Sequence, residues 1–269
     1  METFFKDLSS ALLAFLDKYH GSVVVRILEE QRYTEEPERF YYTIAHKANS
    51  TLYSINHVLC NFHSHYHMRI SAYLLFRSIM LDVITGEYII RQNNDDAQRK
   101  EMILRLNADH IYHTYRAIGT TAKQVFGFCD EEVEQMKASL RARRSMYFEG
   151  DEMSVKPLNT SVFAMARKLT DGSVEGAALH FVQRAFNYYD LYSKYEHPGD
   201  LSFHLTHRVY ETENAVKDYS ELYECLQITL AFLVSIVHLW DYETKELEKL
   251  SDNVLLFTPD ELEKRVKDD

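Results

Sequence analysis

Ala45, Leu52, Leu59 and Tyr66 recur every seven residues, with Ala48, Ile55 and Phe62 between them. That alternation of threes and fours lays one apolar stripe along a long helix. A second stripe runs through Leu104, Ala108, Ile111, Tyr115, Ile118, Ala122 and Val125. A third takes Val174, Ala178, Phe181, Ala185, Tyr188 and Tyr192, and a fourth takes Ala215, Tyr219, Leu222 and Leu226. Between the first two lies SAYLLFRSIMLDVITGEYII, residues 71–90, apolar on almost every face. A helix hydrophobic all round belongs at the centre of a bundle.

Shorter helices are predicted over residues 130–148 and 160–169. Near the C-terminus, TPDELEKR offers Thr258 as N-cap, Pro259 at the first helical position and Glu261 to complete a capping box. SVVVRI, residues 22–27, is the one stretch with strand character. Polar breaks fall near 91–98, 149–160 and 197–208. The expected fold class is all-α, a bundle of long antiparallel helices with short accessory ones. One helical domain is expected over residues 1–269, with a flexible loop at 149–160 as its weakest point.

Composition agrees with that picture. The chain is 46% hydrophobic and 26% charged, with only 8 Gly and 4 Pro to break helices. Its 19 Tyr and 15 Phe imply phenol hydroxyls that need partners inside the core. A net charge of −11 argues against a broad nucleic-acid surface, which would need a basic face. KASLRARR, residues 137–144, is a local exception, but the acidic DEEVEQ just before it favours a solvated helix face. Cys60, Cys129 and Cys225 stand far apart, which suits neither a disulfide framework nor a zinc knuckle. METFFKDLSSALLAFLDKYH carries acids within its apolar stretch and reads as an amphipathic helix rather than a signal peptide. The run from Leu226 to Trp240 falls short of the ~20 residues of a bilayer span and is expected as a core helix. The sequence therefore points to a cytoplasmic protein, with no membrane partner and no cofactor expected.

Candidate chemistry is sparse. HSHYH would place His63 and His67 on one helical face, half of a metal site at best. Ser64 stands where a zinc protease carries its glutamate, and no Glu-x-x-His occurs to suggest a di-iron bundle. The catalytic members of the HEPN superfamily of helical nucleotide-binding proteins space an Arg and a His by four to six residues. Arg105 and His110 have that spacing, as do Arg39 and His46. With 16 Arg and 13 His, about two such matches arise by chance, and Leu106 replaces the usual polar residue after the Arg.

The more informative anomaly is charge within the apolar central helix. Unpaired ions there would cost several kcal/mol, roughly, so Arg77 and Asp82 must find partners or water. Five residues apart, they diverge by ~140° and need partners from other helices. YYDLYSKYEHPGD supplies such groups: Tyr189, Ser193 and His197 crowd a helix end that Pro198 and Gly199 should terminate near Glu196.

RSIMLDVITGEYI together with YYDLYSKYEHPGD resembles an uncharacterised bacterial helical family. In that family an Arg, an acid and a Tyr on an early helix accompany Tyr-x-x-Ser and His-Pro on a later one. Arg77, Asp82, Tyr88, Ser193 and His197 match the pattern, with Asp82 where relatives carry Glu. The resemblance implies that the two segments meet and brings no activity with it; a looser likeness to HEPN bundles accompanies it. The expected function is a binding or regulatory module built on a buried Arg/Asp/Ser/His cluster, taking a small anionic ligand or a protein partner. An RNA-acting or stress and phage-response protein, and a histidine-ligated metal bundle, are the alternatives.

Overall fold

A computed structural model describes residues 1–91, 95–171, 177–196, 204–205, 207 and 215–268. In chain order its helices are α1 (Glu2–Tyr19), α2 (Val25–Glu29), α3 (Glu38–Leu59), α4 (Tyr66–Arg91), α5 (Asp96–Gln124) and α6 (Asp130–Arg143). Two short strands follow, β1 (Phe148–Glu149) and β2 (Glu152–Met153). Then come α7 (Val162–Thr170), α8 (Ala177–Ser193), α9 (Ala215–Val237), α10 (Lys245–Leu255) and α11 (Pro259–Asp268). The fold is all-α. The strands form a tight antiparallel hairpin with Phe148 opposite Met153. Gly150 in its turn has φ 63°, a left-handed value that a Cβ would oppose.

The backbone divides into two compact units, Met1–Arg91 with Val162–Asp269, and Gln92–Ser161. In the larger unit α4 packs against α3, α7, α8 and α9, and none of its residues between Ile70 and Ile90 is exposed. The central position expected for residues 71–90 is thus observed. Ala45, Ala48, Leu52, Ile55, Leu59 and Phe62 are all fully buried, so the first stripe is a core seam. Gly86 sits where a Cβ would lie 2.7 Å from the Phe232 ring, which explains a glycine inside a helix packed against α9.

Three local expectations are corrected. SVVVRI is helical: His20–Val24 forms one wide π turn leading into α2, and Val23, Val24 and Ile27 are buried at helical spacing. The helix of the first stripe, α3, does not continue through HSHYH. Amides of Asn61, Phe62 and Ser64 donate to carbonyls three residues back, which closes α3 in a turn before α4 begins. The run ending at Trp240 belongs to a longer helix, and Val216–Trp240 has the length and apolar composition of a membrane span. Within this fold its Tyr219, Leu222, Leu226, Leu230 and Leu233 are fully buried.

At α11, Thr258 Oγ1 accepts from the Glu261 amide at 3.2 Å, the expected cap. Glu261 instead gives its carboxylate to Arg265 at 3.0 Å, so only half of the capping box is made.

Candidate functional site

The central helix pairs Glu87 with Arg91 within itself and presents other polar groups one by one to different neighbours. Arg77 faces α8 and the turn after it: its Nη1 lies 2.7 Å from Glu196 Oε1, and its guanidinium sits 4.9 Å from the Tyr189 ring centroid. One turn earlier, Tyr73 stacks on Tyr192 at 4.8 Å and meets Tyr195 at 5.5 Å. Tyr73 and Tyr192 are fully buried. The 77–88 and 188–196 segments therefore meet, through Arg77 against Tyr189 and Glu196, with the Tyr73–Tyr192 stack one turn away. Cation–ring contacts contribute about 0.5–2 kcal/mol, and the half-exposed Arg77–Glu196 pair about 1 kcal/mol or less.

Asp82 turns elsewhere. Lys47 on α3 reaches both of its oxygens, at 2.9 and 2.8 Å. Burial raises the Asp82 carboxyl above its ordinary range, and Lys47 opposes that shift. Tyr88 is buried with its hydroxyl 3.3 Å from Lys168 Nζ of α7. Ser193 donates to the Asp190 carbonyl of its own helix at 2.6 Å. His197 lies outside the described residues.

The expected Arg/Asp/Ser cluster is consequently split. Arg77 and Tyr189 come together, whereas Asp82, Tyr88 and Ser193 each close with another group. The reason is angular: residues five and eleven positions along a helix from Arg77 point to different or more distant neighbours.

Two polar features lay outside the sequence reading. Arg69 Nη1 pairs with Asp218 of α9 at 3.2 Å, both side chains being almost wholly buried. Arg69 Nε also donates to the Phe62 carbonyl at 3.2 Å, which ties down the turn before α4. Asp218 stands one turn before Leu222 on the fourth stripe, and that register was the available signal. Between α8 and α9, Glu224 receives Arg184 at 2.7 Å and the Tyr188 hydroxyl at 2.6 Å. Burial, then that carboxylate, pushes the Tyr188 phenol well up. Arg184 and Glu224 border a cleft of about 570 Å³ that also takes in His180 and Gln227.

The other candidates do not assemble. His63 lies in the turn, stacked on Phe5 at 6.0 Å, while His67 is exposed on α4, because the helix breaks between them. Among the described residues, no three His, Cys, Asp or Glu side chains converge as metal ligands would. Arg105 is half-buried on α5 and His110 exposed, ~140° apart around the helix.

In comparisons with known proteins the chain matches no family, no curated protein and no solved structure. Neither the resemblance to a bacterial helical family nor kinship with HEPN bundles gains support from them. What the fold defines is a class, the all-α bundle, and the site has to be read from its own chemistry.

Proposed function

We propose that this protein is a helical binding scaffold in which polar pairs set the register of the central helix. Four contacts support the reading: Lys47–Asp82 to α3, Lys168–Tyr88 to α7, Arg77–Tyr189–Glu196 to α8 and its end, and Arg69–Asp218 to α9. Each neighbour of α4 receives one polar key, and the one buried ion pair among them, Arg69–Asp218, is well suited to excluding slipped packings. The observation that carries the proposal is that the Tyr189 ring and the Glu196 carboxylate already engage Arg77, since a ligand pocket would leave the guanidinium facing a cleft. Apolar surface lies elsewhere, where Val125 and Phe126 are 70% and 66% exposed. Such a patch suits a partner rather than a solute.

The test is Arg77→Met, followed by thermal unfolding with and without phosphate or a nucleotide. A structural key predicts a loss of about 1–2 kcal/mol and no stabilisation of the parent protein by either anion. Stabilisation of the parent protein that vanishes in Arg77→Met would overturn the scaffold and establish an anion site.

A further inference from the structure

The smaller unit, residues 92–161, has a thin core. Its α5 buries Ile103, Leu106, Ala108 and Ala122, but the stripe seen in the sequence remains half open through Ile111, Tyr115 and Ile118 and fully open at Val125. Two adjoining hollows of about 360 and 470 Å³ lie along α5 and α6 and share Thr114, Ile118, Phe128 and Met136. An apolar groove of that kind between two helices has the shape of half a four-helix bundle.

Charge indicates what fills it. Helix α6 is polarised, with Asp130, Glu131 and Glu132 in its first turn and Arg141 and Arg143 in its last. The groove-lining face of α6 includes Glu132, Met136, Ser139 and Arg143, spaced by four, three and four. These four share one helical face, and its two charged ends are three turns, about 16 Å, apart. Glu132 uses Oε2 to accept the Cys129 amide at 2.8 Å. Arg143 donates to the Ser139 hydroxyl and carbonyl at 3.0 and 3.3 Å, and among the described residues it meets no carboxylate.

We propose that this face docks on the same face of a second copy of the chain, α6 against α6 and antiparallel. A two-fold axis between Met136 and Ser139 then brings Glu132 of each copy to Arg143 of the other. The same operation sets the large Met136 against the small Ser139 twice. Self-complementarity of charge and size about one axis is what an isologous interface requires. Phe128 and Ile118 supply its apolar flanks. The inference gives the scaffold reading a partner, yet its test is separate, since Arg77 plays no part in it.

The experiment is sedimentation of the full chain over a concentration series, with circular dichroism to verify folding. The parent protein should be dimeric. Arg143→Glu and Glu132→Arg should each weaken the dimer about tenfold or more, because each sets like charges together twice. Mixing the two variants should restore association, since both contacts of the mixed dimer are then complementary. A parent chain that is monomeric at every concentration overturns the proposal, whether or not another protein binds the groove. So does a dimer indifferent to Arg143→Glu, or variants that do not rescue one another. Should Glu132→Arg fray α6 by losing its cap, Arg143→Glu still decides.

Discussion

Helices α4 and α5 are alike in length, 26 and 29 residues, but α4 is apolar on almost every face and α5 along one stripe, and they end in opposite circumstances. Helix α4 is covered from Ile70 to Ile90, and Arg69, Arg77 and Asp82 each have a partner on a different neighbour, while Glu87 and Arg91 pair within the helix. Helix α5 has α6 beside it in a unit whose polar groups pair locally, as Lys137 with Glu134 and Arg141 with Asp151. Net charge follows the same division: residues 92–161 nearly balance acids and bases, while the remainder carries almost all of the −11. A stripe is a face available for burial, and how much of it is buried depends on how many neighbours arrive.

Substitution of Arg69 should give the largest contrast. Arg69→Met removes the guanidinium from the buried Asp218 carboxylate, at about 3–5 kcal/mol, read by denaturant unfolding. A loss below about 1 kcal/mol would mean that the larger unit tolerates a broken key as the smaller one should.

Acid should produce a smaller effect, again confined to the larger unit. Burial lowers the His63 imidazole below its ordinary range, and the N-terminal amine, Lys6 and His65 add to this against the opposing Glu2. Below about pH 6.5 the unfolded chain takes up a proton that the folded chain resists, so stability falls as pH drops through that window. The melting temperature should decline from about pH 7 to about pH 5, and His63→Gln should flatten the decline. An unchanged slope in that variant would move the effect to another group.

The smallest effect is expected in the smaller unit. Phe126 is largely exposed, and Phe126→Ser should alter stability by about 0.5 kcal/mol or less. A loss of several kcal/mol, roughly that of a core aromatic, would show that this side chain is covered in solution.

Much of the larger unit was legible in the chain. The stripe from Ala45 to Phe62 marked a buried face, and the all-round apolarity of 71–90 marked the centre. The charges at Arg77 and Asp82 announced that partners had to exist. Their identities were not legible, because Lys47 and Glu196 resemble dozens of ordinary surface residues until the helices are set side by side. HSHYH misled for a related reason, since spacing by four assumes a continuous helix and the Asn61–Ser64 turns interrupt it.

Periodicity is a local property, set by 3.6 residues per turn, so helices, caps and buried faces could be read from residue order alone. Pairing is different. Whether Asp82 meets Lys47 or Arg77 depends on the azimuth and height of a second helix many residues away, and packing of whole faces decides that. The chain accordingly specified which faces seek cover, and the assembled bundle chose what covers them.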